Sequence, residues 1–316
     1  MYNYENYDKV KNEIEQKRLS AIAEADMHSA MLGELSPEIR EIDRELSGTG
    51  LLLFKTACSG GNIAPIRERN QALVAKRRAI IKSLGYPEDY TDVHYSCEKC
   101  SDTGFINGTK MCSCFREALI KATIASSGIG DLIERQSFEN FDLSWYADNA
   151  DVLKRMKANV AGARSFVSNF GTRKDDLLLI GGTGTGKTHI STAIAREIIS
   201  AGYDVVYDSA QNIISDFEAD KFRSGYGSYE PRSQKYMECD LLIIDDLGTE
   251  FSNQFTVSCL YNLINTRRNK GMSTIISTNL SAEELARKYE DRIYSRIVGA
   301  GTKIMMFEGK DRRIFG

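Results

Sequence analysis

Residues Leu177-Leu178-Leu179-Ile180-Gly181-Gly182-Thr183-Gly184-Thr185-Gly186-Lys187-Thr188 restrict the possible folds more than any other stretch of the chain. Four consecutive apolar residues read as a buried strand, and Gly181, Gly186, Lys187 and Thr188 then satisfy the pattern G-x-x-x-x-G-K-[ST] of a phosphate-binding loop. His189 to Ser200 continues in mostly good helix formers, so strand, loop and helix follow one another as the pattern requires. The glycines let the backbone turn tightly, and the N–H groups from Gly181 through Gly186, with the helix N-terminus, are expected to surround a β-phosphate. Lys187 is expected to reach the β- and γ-phosphates, and the Thr188 hydroxyl to ligate Mg²⁺.

A chain of 316 residues has room for one large domain and a smaller one, and a hydrophobic content of 42% is ordinary for a soluble protein. A formal net charge of -3 argues against coating nucleic acid by overall charge, so any such contact must be local. The amino terminus, MYNYENYDKV, lacks a signal-peptide profile, and no apolar run approaches the roughly 20 residues needed to span a bilayer. A cytoplasmic protein without membrane contact is expected.

Tyr4 to about Leu84 is rich in Glu, Lys, Arg, Ala, Leu and Ile. Val10 with Ile14, then Ile39, Ile42 and Leu46, then Leu73, Ile80 and Leu84 fall at helical spacing. Ser36-Pro37-Glu38 starts a helix, Ser59-Gly60-Gly61-Asn62 breaks one, and Gly85-Tyr86-Pro87 ends the last. Residues 1–90 thus form a helical domain that either buries only its own stripes or docks a partner. Within 91–130, Cys97-x-x-Cys100 and Cys112-x-Cys114 are separated by eleven residues, and two close thiolate pairs are what a closed, structural Zn²⁺ site needs. His94 is near enough to substitute as a ligand. Cys58, Cys239 and Cys259 are isolated and read as inert packing residues.

Residues 131–316 read as an α/β core that binds ATP. Ile133 to Tyr146 leads into it and suits a place near the adenine. Further strands are expected at Asp204 to Tyr207, Leu241 to Ile244, Ser273 to Asn279 and Thr302 to Phe307, with helices between them. Asp245 and Asp246, at the carboxyl end of a buried strand, are costly unless they meet a cation or a polarised water. Asp245 is expected to hold Mg²⁺, and Asp246 to orient or deprotonate the attacking water. Asn279 stands at the carboxyl end of its strand, where parallel sheets place ligands. Ser281-x-x-Glu284 is a capping box, and Arg292 and Arg296 share one face of the helix that follows. Lys221 to Tyr229 interleaves bases and aromatics, as a mobile solvated loop or a single-stranded DNA contact would.

Taken together, GGTGTGKT at 181–188, LLIIDDLGTE at 241–250, ISTNL at 276–280 and DRIYSRI at 291–297 resemble the AAA+ ATPases, more narrowly the helicase loaders of the DnaC and DnaI type with their IstB relatives. The cysteine segment 96–114 is similar to one found before the ATPase core in many such loaders. The resemblance implies a three-layer αβα core with a five-stranded parallel sheet, order 5-1-4-3-2 counted from the phosphate-loop strand, preceded by the helical domain and the zinc knot. It implies that Asn279 is a sensor of the γ-phosphate, and that Arg296, or Arg292, is an arginine finger reaching ATP in a neighbouring subunit. Arg313 is the sensor 2 candidate, on a tail too short for the usual helical lid. Many relatives carry Glu where Asp246 stands, so Glu250 is a further candidate for the base. The implied activity is ATP hydrolysis. The implied partners are a hexameric replicative helicase, single-stranded DNA and further copies of the chain; the alternative is a transposition helper of the IstB type.

Overall fold

The computed structural model describes residues 3–222, 231–251 and 253–311. Two compact units divide the chain: Lys9–Arg116, and Met1–Asp8 with Glu117–Gly316. The first is built on α1 (Tyr4–Leu35), α2 (Pro37–Cys58) and α3 (Ala64–Ser83). Pro37 opens α2 behind the Ser36 hydroxyl, which accepts the Ile39 N–H at 3.3 Å. Leu32, Ile39 and Ile81 form a small core with Met31, Ile80, Tyr86 and Tyr90 around it. The expected stripe through Leu73, Ile80 and Leu84 is corrected here: Ile81 is the fully buried member and Leu84 is 40% exposed. The apolar run Ala79-Ile80-Ile81 offers two helical registers, and packing against Leu32 and Ile39 selects one. Arg77 fixes the arrangement by donating to Asp43 (2.6 and 3.3 Å), Thr91 (2.6 Å) and Ser29 (3.1 Å). β1 (Phe105–Ile106) and β2 (Lys110–Met111) make an antiparallel hairpin in the cysteine segment, followed by α4 (Ser113–Ser126).

In the larger unit α5 (Leu132–Arg135) and a 3₁₀ turn (Leu143–Tyr146) lead to α6 (Ala150–Asn169), β3 (Asp176–Gly181), α7 (Lys187–Ser200), β4 (Val205–Ser209) and α8 (Ala210–Phe222). There follow α9 (Gln234–Glu238), β5 (Leu241–Leu247), α10 (Gln254–Lys270), β6 (Ser273–Thr278), α11 (Ala282–Ile297) and β7 (Thr302–Phe307). The five strands β3 to β7 are parallel in the order β4-β5-β6-β3-β7, which is the order the resemblance implies. Alternation sends successive strand residues to opposite faces. Leu177, Leu179, Leu241, Ile243 and Ile275 pack against α6 and α7 through Met156, Phe166, Ile190 and Ile194. Leu178, Ile180, Leu242, Ile244 and Ile276 pack against α8, α10 and α11 through Ile213, Leu260, Leu263, Tyr289 and Ile293. In β3 and β5 both faces are covered, so these two strands read as unbroken apolar runs, Leu177 to Ile180 and Leu241 to Ile244. Each buried Leu or Ile contributes about 1.5–3 kcal/mol. The result holds the carboxyl ends of β3, β5 and β6 side by side.

Candidate functional site

The loop between β3 and α7 is held open by its glycines. A Cβ on Gly181 would run into the Phe307 carbonyl on the neighbouring strand, so β7 closes on β3 only because nothing is there. Gly186 caps α7 with φ 97°, and a Cβ would lie 2.9 Å from the Tyr146 hydroxyl and 3.0 Å from the Phe141 ring. Tyr146 donates to the Thr185 carbonyl at 2.8 Å, and His189 donates to the Ser137 carbonyl at 2.9 Å. The lead-in segment thus backs the loop as a buttress. A cleft lined by Gln136, Thr183, Gly184, Thr185, Gly186, Lys187, Thr188, His189, Asp246 and Asn279 lies over it. Lys187 is 5% exposed, and its ammonium donates to the Gly181 and Gly182 carbonyls, both at 2.7 Å, and to Asn279 Oδ1 at 2.6 Å. No side chain caps the start of α7, so its first N–H groups and a buried ammonium converge on one cleft. That donor set fits a polyphosphate.

The two aspartates have different surroundings. Asp245 accepts from the Tyr207 and Ser277 hydroxyls, and Tyr207 also touches Thr188. Burial, with the Asp245 charge next, holds the Tyr207 phenol well above its usual range, so it remains a donor. Asp246 sits in the left-handed region at φ 52°, an uncommon state for a residue with a side chain, and its N–H donates to Ser277 Oγ at 2.9 Å. A register irregularity between Ile244 and Leu247 accompanies that turn, and it is Asp246 that lines the cleft. Lys187, Thr188, Asp246 and Asn279 therefore line one cleft, and Asp245 stands behind it, tied to Thr188 and Asp246 through Tyr207 and Ser277. Tyr207 and Ser277, which link them, were legible only as strand residues, although each stands near the carboxyl end of its strand.

Arg292 and Arg296 do not line this cleft. Arg296 lies over the Tyr261 ring at 4.4 Å, and its Nε donates to Asn265 Oδ1 at 2.8 Å. Arg292 is exposed on the same helix, beside Tyr261 and Lys288. Glu250 is also absent from the cleft lining; it is 3% exposed and bonded to Gly248 and Tyr289. Arg313, and the part of the basic–aromatic stretch from Arg223 to Tyr229, lie outside the described residues. Lys221 stacks over Phe255 at 4.6 Å and Phe222 is 83% exposed.

In the smaller unit Cys97, Cys100, Cys112 and Cys114 bring four sulfurs within 4.8 Å of one another. Sulfurs of Cys97 and Cys112 are 3.8 Å apart, and those of Cys100 and Cys114 3.5 Å. A tetrahedron with metal–sulfur bonds of about 2.3 Å has edges near 3.8 Å, so the set fits Zn²⁺. The Asp102 carboxylate shapes it by accepting the Ser96 and Cys97 N–H groups at 2.7 and 2.9 Å. The Cys114 N–H pulls the Cys112 thiol down to about 7, while burial pushes Cys100 and Cys114 up. His94 stands apart, against the Asp89 carbonyl. Cys239 and Cys259 are buried as expected of packing residues, whereas Cys58 is exposed at the end of α2.

Comparison with known proteins gives a family model described as IstB-like ATP binding protein, matching residues 126–298. The chain is 26% identical over 182 residues to the replicative helicase loader DnaC of Escherichia coli (strain K12), covering 58% of this chain and 71% of that one. It is 27% identical over 225 residues to the phage-like element PBSX protein XkdC of Bacillus subtilis (strain 168), covering 66% and 82%. Among solved structures, the crystal structure of the DnaC helicase loader matches with a TM-score of 0.44 and 22% identity, over 49% of this chain and 90% of that one.

Proposed function

The chain belongs to the family of IstB-like ATP binding proteins, and from that membership we propose that it is an ATP-hydrolysing loader that binds a hexameric replicative helicase and delivers it to single-stranded DNA. One observation carries the ATPase part: Lys187 and Thr188, Asp246, and Asn279, from three separate stretches of the larger unit, converge on a single cleft at an uncapped helix start. The loop 181–188 would hold the phosphates, with Lys187 moving from its three oxygen acceptors to the β- and γ-phosphates. Thr188 and Asp245 would hold Mg²⁺, which supplies charge neutralisation at the transferred phosphate. Asp246 would orient the attacking water, and Asn279, released by Lys187, would bond that water or the γ-phosphate. Arg296, or Arg292, would complete the site of an adjoining subunit.

The loader reading is supported by the relative named a replicative helicase loader and by the helical unit with its four-cysteine cluster in front of the ATPase core. In this reading residues 1–90 grip the helicase, 91–130 bind zinc and 131–316 hydrolyse ATP, with Lys221 and Phe222 starting a DNA-contacting stretch. A transposition helper is the second reading, favoured by the name of the family model itself. Size-exclusion chromatography of the full chain mixed with the replicative helicase of the same cell or phage separates them. A stable complex is expected. Failure to bind the helicase, with binding to a transposase instead, would sink the loader reading and leave the nucleotide site as it is.

A further inference from the structure

Glu250 is a buried acid that the nucleotide cleft does not use. Its Oε2 accepts the Gly248 N–H at 2.8 Å, and its Oε1 accepts the Tyr289 hydroxyl and lies 3.4 Å from the Lys288 ammonium. Lys288 donates as well to the carbonyls of Gly248 at 2.5 Å and Glu250 at 3.2 Å. At the other end of the same turn, the Asp246 carbonyl accepts from Thr249 through Oγ1 at 2.9 Å and N at 3.3 Å. The turn that sets Asp246 at φ 52° is therefore closed on itself and fastened to the middle of α11 by two consecutive residues. Those residues sit at a meaningful place on the helix. Leu285, Tyr289, Ile293 and Ile297 are its buried stripe, whereas Lys288, Arg292 and Arg296 recur every four residues on an adjacent face.

We propose that Glu250 is a positioning residue that joins the two halves of the ATPase machinery, fixing the Asp246 turn in its own subunit and, through Tyr289 and Lys288, the rotation of α11 that presents Arg292 and Arg296 to the next subunit. The inference rests on the ATPase reading above and assigns a residue which that reading leaves without a role. A general base needs an oxygen within hydrogen-bond reach of the water, and both oxygens of Glu250 are taken by donors inside a fully covered side chain. A buried carboxylate with a tyrosine and a lysine is expensive to desolvate compared with an apolar trio, and its best-attested use is to fix a register. Burial, and then the Glu250 carboxylate, hold the Tyr289 hydroxyl well above its usual range, so it stays a donor.

The test compares Glu250→Gln, Glu250→Ala and Tyr289→Phe in the full chain, measuring ATP turnover across protein concentrations and, separately, the Kd of a fluorescent ATP analogue. Gln can keep the bracket: its carbonyl accepts from Gly248, and its amide donates to a reversed Tyr289 hydroxyl. Glu250→Gln should hold kcat within about threefold of wild type, while Glu250→Ala loses about tenfold or more, with Kd unchanged in both. Tyr289→Phe should fall between them, and if the alanine variant does not fold, the Gln and Phe variants carry the comparison. Equal loss in Gln and Ala would make Glu250 part of the chemistry and overturn the inference. So would wild-type turnover in the alanine variant, or a Kd that weakens in step with kcat. A wild-type chain that binds ATP and never hydrolyses it would overturn the parent reading, and this one with it.

Discussion

Arg267 shows how much one side chain can hold. It is 0% exposed, and its guanidinium donates to the Tyr236, Cys239 and Ser273 carbonyls at 2.8, 2.9 and 2.7 Å and to Thr274 Oγ1 at 3.1 Å. The planar fork meets all four at once, which one ammonium cannot do. Arg267→Lys should therefore leave buried carbonyls unpaired and destabilise the larger unit by about 2–4 kcal/mol, read as a lower denaturant midpoint at unchanged slope. At this scale the phosphate loop and the paired aspartates were plain from sequence because their chemistry is local. Tyr207 and Ser277 were not, because the hydroxyls that clasp Asp245 come from strands 38 and 32 residues away and meet it only through parallel pairing. Glu250 was legible only as a candidate base, and its bond to Tyr289, 39 residues away, was hidden in the same way.

Elements were legible where a boundary carries its own punctuation. Ser36-Pro37 starts α2, Asn253 caps α10 by accepting the Thr256 N–H at 2.9 Å, and Ser281 with Glu284 forms the capping box of α11. The hairpin of β1 and β2 carries a short turn signal between strands of two residues each: Asn107-Gly108, at φ 53° and 73°, closed by the Thr109 N–H on the Ile106 carbonyl at 3.4 Å. α5 and α9, of four and five residues, have too little periodicity to announce themselves. The phosphate loop is the element with the narrowest tolerance. Gly186→Ala would place a side chain at φ 97° against Tyr146 and Phe141, at a strain of roughly 1–3 kcal/mol. The variant should keep its far-UV circular dichroism and lose nucleotide affinity by about tenfold or more, measured by calorimetric titration; unchanged affinity would show that the loop has other ways to close.

For the molecule as a whole, the cysteine set and the nucleotide cleft belong to different compact units. Metal analysis of the purified chain should give about one zinc per chain, lost in Cys97→Ser. Stripping the metal with a strong chelator should then unfold the cysteine segment, because a metal bound there would supply folding energy. ATP affinity should stay within about twofold. Loss of nucleotide binding in step with zinc would instead make the two units energetically one. The strand order was legible only through resemblance, since helix and strand patterning says which segments are strands and not which lie side by side.

That order has a consequence for how the protein comes into being. β3, which carries the phosphate loop, pairs with β6 and β7. Leu177 meets Ile275 and Lys303, so the strand is made early and waits for partners roughly a hundred residues downstream. On a ribosome adding about 5–20 residues per second, the loop emerges several seconds before the strands that support it. The support of the loop is complete only once β7 lies beside Gly181, so competence to bind nucleotide is expected late in synthesis.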